Sequence, residues 1–72
     1  MNAAVELEHS VLGFVTLHFS AAYERAEHSD FISQITLDCV EAEGRDVTAD
    51  LPPALLKELA GKQPDAEDFK WP

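Results

Sequence analysis

The sequence predicts a small α+β fold in which an antiparallel β-hairpin or three-stranded meander packs against one C-terminal helix. Three observations predict it. Val15, Leu17, Phe19, Ala21 and Tyr23 alternate with Thr16, His18, Ser20, Ala22 and Glu24, the period of two that marks a half-buried strand. After a short polar connection, Ile35, Leu37 and Cys39 alternate with Gln34, Thr36 and Asp38. A Leu-rich segment then stands between Asp50 and Gly61, with its prolines at the start. Residues 1–61 read as one domain and residues 62–72 as an acidic tail that ends in aromatics.

The elements follow in chain order. Val5 and Leu7, with Glu6 and Glu8 between them, predict a short edge strand. Leu12, Val15 and Phe19 also fit helical spacing, but the segment is rich in Val, Phe, Thr and Tyr and carries no caps, so a strand is preferred. Gly13 sits where a bend or bulge would change which face the side chains take. Arg25 to Asp30 is polar and suits an exposed connection, after which Phe31 and Ile32 open the second strand. Glu43-Gly44-Arg45-Asp46 is a turn signal, with Gly44 available for positive φ. From about Leu51 to Ala60 a helix is expected, with Asp50 as its N-cap, Pro52 and Pro53 in its first turn and Gly61 at its end. Leu51, Leu55 and Leu59 form its apolar stripe, with Leu56 beside them. The predicted core is therefore Val15, Leu17, Phe19, Ile35, Leu37, Leu51, Leu55 and Leu59.

Charge and length bound the function. Five Lys and Arg stand against fourteen Asp and Glu in 72 residues, a net charge of −9. Such a surface repels phosphate, which argues against direct contact with nucleic acid or an anionic membrane. A chain this short buries only about 60% of its unfolded surface, so a partner or a second copy is a natural source of extra stability. The single cysteine, Cys39, excludes an intramolecular disulfide and fits a reducing compartment. The apolar run from Val11 to Ala22 is preceded by Glu6 and Glu8, where a signal peptide needs bases, and is too short to span a bilayer. A cytoplasmic protein is expected.

No reaction is identified. His9, His18, His28 and Cys39 are the soft metal ligands, and none pair at zinc-site spacing. Strict alternation also places His18 and Cys39 on opposite faces, so no metal is expected. Glu24, Glu27 and Asp30 crowd around His28, but without the spacing of a calcium loop, and read as a solvated connection. Gly13, Gly44 and Gly61 are too far apart for a phosphate cradle, and no serine occupies a nucleophile elbow. Neither a catalytic residue nor a cofactor is expected.

The acids are the remaining signal. Asp38, Glu41, Glu43 and Asp46 follow the second strand and its turn, while Glu24, Glu27 and Asp30 occupy the hairpin connection. These seven carboxylates are expected to gather along one rim and one end, where they either solubilise the protein or attract a basic protein surface, including one that normally holds nucleic acid. Phe69 and Trp71 have three uses, of which the first is favoured: docking on the exposed sheet face to enlarge a thin core, anchoring a partner, or exchanging between protomers.

The run from Ile35 to Leu51 (Ile35-Thr36-Leu37-Asp38-Cys39-Val40-Glu41-Ala42-Glu43-Gly44-Arg45-Asp46-Val47-Thr48-Ala49-Asp50-Leu51), with the helix to Ala60, resembles small bacteriophage and prophage proteins: an acid-bearing strand, a Gly turn, an Asp-Val-Thr step and a short Leu-rich helix. Cys39 in the strand and the tail beyond Gly61 depart from that layout. The resemblance implies a phage-type accessory protein in the bacterial cytoplasm and brings no activity with it. The expected function is non-enzymatic: an acidic protein that binds a host protein, with inhibition as one form, in which carboxylates stand in for nucleic-acid phosphates. A self-assembling module, a homodimer or larger, is the alternative.

Overall fold

The computed structural model describes residues 1–27, 30–65 and 68–69, the side chain of Asp30 excepted. Four strands form one antiparallel sheet: β1 (Asn2–His9), β2 (Gly13–Arg25), β3 (Asp30–Ala42) and the two-residue β4 (Arg45–Asp46). They lie in the order β1-β2-β3-β4, so every connection joins neighbours. A 3₁₀ turn (Thr48–Asp50) leads to the helix α1 (Pro53–Ala60). The α+β fold is the one expected, with the sheet one short strand larger than a three-stranded meander.

The turns follow from their glycines. Gly13, at φ 75°, closes the β1–β2 connection. It bends the chain between two strands rather than bulging within one, since β1 and β2 stay in continuous register from Asn2↔Ser20 to His9↔Gly13. His9 secures the same turn. Its Nδ1 accepts the N–H groups of Val11 (3.0 Å) and Leu12 (3.3 Å), so Nε2 carries the proton and donates to Glu58 of α1 at 2.6 Å. At the other tight turn, Glu43 and Gly44 both have positive φ, 53° and 76°, the signature of a type I′ hairpin. The chain therefore returns at once as β4, where the sequence alone suggests only a turn.

The helix begins later than its composition predicts. A residue before proline is driven out of the helical region. Leu51 precedes Pro52 and Pro52 precedes Pro53, and both are extended, at ψ 139° and 150°. Asp50 is thereby held in the 3₁₀ turn, two residues short of the helix. Pro52 is the N-cap, without a side-chain bond, and Pro53 takes the first helical position. Gly61 ends the helix at φ −72°, in right-handed rather than left-handed conformation.

The core lies between the inner face of the sheet, α1 and the tail. Val15, Leu17, Phe19, Ala21, Val40, Leu59 and Phe69 are buried, and Ile35, Leu37, Leu51, Leu55 and Leu56 pack around them half-buried. Val40 displaces Cys39 from its expected inward place, because β3 contains two irregularities. His18 pairs with Cys39 and Phe19 with Leu37, which leaves Asp38 as an extra residue; Ser20 pairs with Thr36 and Ala22 with Ser33, which leaves two residues of β3 opposite Ala21. Gln34 is the residue there that adopts φ 48°. Each bulge shifts the inward positions of β3 by one residue. Leu37 and Val40 both face inward, and Cys39 and Glu41 face outward.

The molecule measures 44 × 20 × 17 Å. Its length is that of a 13-residue strand, about 43 Å at 3.3 Å per residue. Beyond Ala21 on β2 and Ile35 on β3, no described residue of the hairpin is buried.

Candidate functional site

Paired residues of a sheet share a face, so the register assembles the outer surface directly. Glu6 pairs with Thr16, Thr16 with Glu41, and Glu41 with Asp46. One row crossing all four strands thus carries three carboxylates. Glu8 and Phe14 form the neighbouring row, and Glu43 lies at the turn beside them. Glu6, Glu8, Phe14, Thr16, Glu41 and Glu43 line a single shallow hollow. Phe14 is 76% exposed, and Val11, in the adjacent turn, 79%. An acidic surface with an apolar centre therefore occupies this end of the sheet.

The predicted carboxylates do not form one patch. Glu41, Glu43 and Asp46 belong to this end, and Asp38 lies further along β3, where it accepts a hydrogen bond from the hydroxyl of Ser20 at 3.0 Å. Glu24 stands eight residues beyond Thr16 on β2, about 26 Å away at the strand rise. Glu24 and Glu27 thus sit at the opposite end of the long axis, and the side chain of Asp30 lies outside the description. Pairing a strand of β2's length with its hairpin partner separates what the expectation gathered.

Glu6 and Glu8 are the contributors that the sequence reading left out. Their alternation with Val5 and Leu7 was the available signal, because it places both acids on the solvent side of an edge strand. What could not be read was the β1–β2 register that sets them beside Thr16 and Phe14.

Asp46 has an internal task as well. Its Oδ1 accepts the backbone N–H of Thr48 at 2.9 Å and the Thr48 hydroxyl proton at 2.6 Å, while the Thr48 Oγ1 accepts the N–H of Val40 at 2.8 Å. Those two bonds from Thr48 hold the Asp46 carboxyl below the usual aspartate range. The Asp-Val-Thr step is thus a structural clasp: it ends β4, satisfies an amide of β3 and starts the path to α1.

Cys39 and His18 are cross-strand partners on the outer face, the reverse of the strict-alternation reading. His18 Nε2 lies 3.5 Å from Glu41 Oε1. Desolvation, followed by the charges of Asp46, Glu41 and Asp38, pushes the Cys39 thiol up. The thiol consequently stays protonated near neutrality and is a poor nucleophile. Among the described residues, no group of three His, Cys, Asp or Glu side chains is placed to hold a metal ion.

Phe69 is 2% exposed and belongs to the core, so it is occupied within the fold rather than presented to a partner. It enlarges the core, as the favoured use expects, from the inner face of the sheet. Trp71 lies outside the described residues. No helix among the described residues is long and apolar enough to cross a membrane. No protein-family model matches the chain, and neither does any curated protein or solved structure.

Proposed function

We propose that this is a non-enzymatic binding protein, a phage-type accessory protein of the bacterial cytoplasm, that engages a basic surface on a host protein through the outer face at the β1–β2 turn. One observation carries the reading: Glu6, Glu41 and Asp46 stand in one row, with Glu8 and Glu43 alongside, around an exposed Phe14. Carboxylates spaced along and across a sheet attract cationic side chains and speed encounter, and an exposed aromatic within them gives the contact an apolar anchor. A host site built to hold nucleic-acid phosphates offers such a cationic surface.

The test is a pull-down from bacterial lysate with the tagged protein at low and high salt, alongside the Glu6→Gln/Glu41→Gln double variant. A basic protein captured at low salt, released at high salt and missed by the double variant is the expected result. Capture that ignores both salt and the double substitution, or no capture at all, overturns the reading.

A further inference from the structure

We infer that the free edge of β1 is a self-pairing surface, and that two copies join antiparallel about a two-fold axis through Val5 into one continuous sheet. The phase of the edge comes from Met1 and Ala21, which exchange both backbone bonds: the Met1 amine donates to the Ala21 carbonyl at 2.9 Å, and the Ala21 N–H to the Met1 carbonyl at 2.8 Å. Alternation along the ladder then turns the N–H and C=O groups of Ala3, Val5 and Leu7 toward β2, and those of Asn2, Ala4, Glu6 and Glu8 outward. Among the described residues no backbone bond joins these outward groups to another segment.

The edge carries few of the devices that keep strands apart. It has no proline, no lysine and no bulge over eight residues, and its two charges lie on one face. Val5 and Leu7 remain only half-buried, which leaves apolar surface for a neighbour on the inner face.

The occupant follows from the sequence of β1. Facing side chains must match, so only registers that pair even with even positions are open to two copies. Centring on Glu6 sets that residue against itself, and centring on Leu7 sets Glu6 against Glu8. Centring on Ala4 leaves Glu8 beyond the overlap and shortens the paired stretch to residues 1–7. Centring on Val5 sets Glu6 opposite the partner copy's alanine and Glu8 opposite its asparagine, Leu7 opposite its alanine, and gives all four outward residues a hydrogen-bonding partner. This is the longest register free of facing carboxylates. A pairing of this size belongs with weak interfaces, and it extends the acidic face of one copy onto the outer face of the other.

The inference stands apart from the proposed binding to a basic partner, because salt separates them. Two chains of −9 repel, so screening strengthens the dimer, whereas it weakens attachment to a basic protein. Sedimentation equilibrium over the micromolar to submillimolar range, at low and high salt, is the experiment. A monomer–dimer equilibrium that tightens with salt is expected. Ala4→Lys, which meets the partner's Glu6, tightens it about threefold to tenfold, and Ala4→Glu weakens it by a similar factor. Circular dichroism confirms that both variants keep the fold. A monomer at every concentration and salt overturns the inference, and so does a dimer that responds alike to the two substitutions.

Discussion

The two halves of the β2–β3 hairpin share one ladder, one alternation and similar residues, yet they differ in what covers them. In the proximal half, Val15, Leu17, Phe19 and Val40 are sealed by α1 and Phe69. In the distal half, Tyr23 and Ile32 pair across the strands but are only half-buried, and Phe31 is 46% exposed. The proximal half also has β1 alongside β2, from Ser20 to Gly13, and the difference teaches that the pairing of β2 with β3 is not by itself what holds this sheet. Two-stranded ribbons are marginal in water, and the proximal half is stable because β1 adds a further strand and a second layer, α1 with Phe69, removes its apolar face from solvent.

The contrast is broken most severely from the helix side. Leu59 is fully buried, and Leu59→Ala removes its contacts with the sheet at a cost of about 3 kcal/mol. For a domain of this size that is a large share of total stability. Urea denaturation should show the midpoint falling accordingly; a shift within error would mean that the cover does not stabilise the proximal half.

A smaller loss is expected from the clasp. Thr48→Val leaves the Val40 N–H without its acceptor, at about 1–2 kcal/mol. The same substitution removes the hydroxyl, the stronger of the two donors that depress Asp46, and leaves the backbone N–H of residue 48 in place. A carboxyl depressed in the folded state contributes stability above its unfolded pKa, and that contribution is lost as pH falls through the folded value. Acid should therefore weaken the native protein below about pH 4, and Thr48→Val should show less of this dependence. Equal acid sensitivity in the two proteins, measured by thermal melts against pH, would remove Asp46 from the account.

The smallest effect belongs to the distal half. Phe31→Ser on its exposed side should change stability by less than about 0.5 kcal/mol. Amide exchange in Ala22–Arg25 should run faster than in Val15–Ala21. Equal protection in both segments would mean that the ribbon is held by something other than the described cover.

Much of this was legible in the residues. Alternation from Val15 to Tyr23 marked β2, and the three leucines of one stripe marked α1. The delayed start of α1 was legible too, since Leu51-Pro52-Pro53 excludes helical geometry at the two residues before Pro53. Asp50 has the chemistry of an N-cap, but the steric rule of the two prolines outweighs it. The bulges were not legible. An extra residue in a strand leaves its neighbours chemically unchanged, and only the partner strand reveals that Asp38 has no counterpart of its own. Alternation alone therefore points Cys39 inward, whereas the bulge at Asp38 puts Val40 there. The candidate site depended on the same hidden information, because its members come from four strands and only the register brings Glu6 to Glu41.

The two surplus residues of β3 also give the chain slack. Thirteen residues, Asp30 to Ala42, span what β2 covers from Val15 to Arg25. Deleting Asp38 or Gln34 would draw the strand taut while leaving each other side chain on its present face, whereas deleting Thr36 would send its neighbours to the wrong side. A deletion scan read by circular dichroism should thus find folded survivors at Asp38 and Gln34, with loss of fold at Thr36. Survivors there would mean that a strand of this protein absorbs a change of length at its bulges, where the alternation of residues is broken.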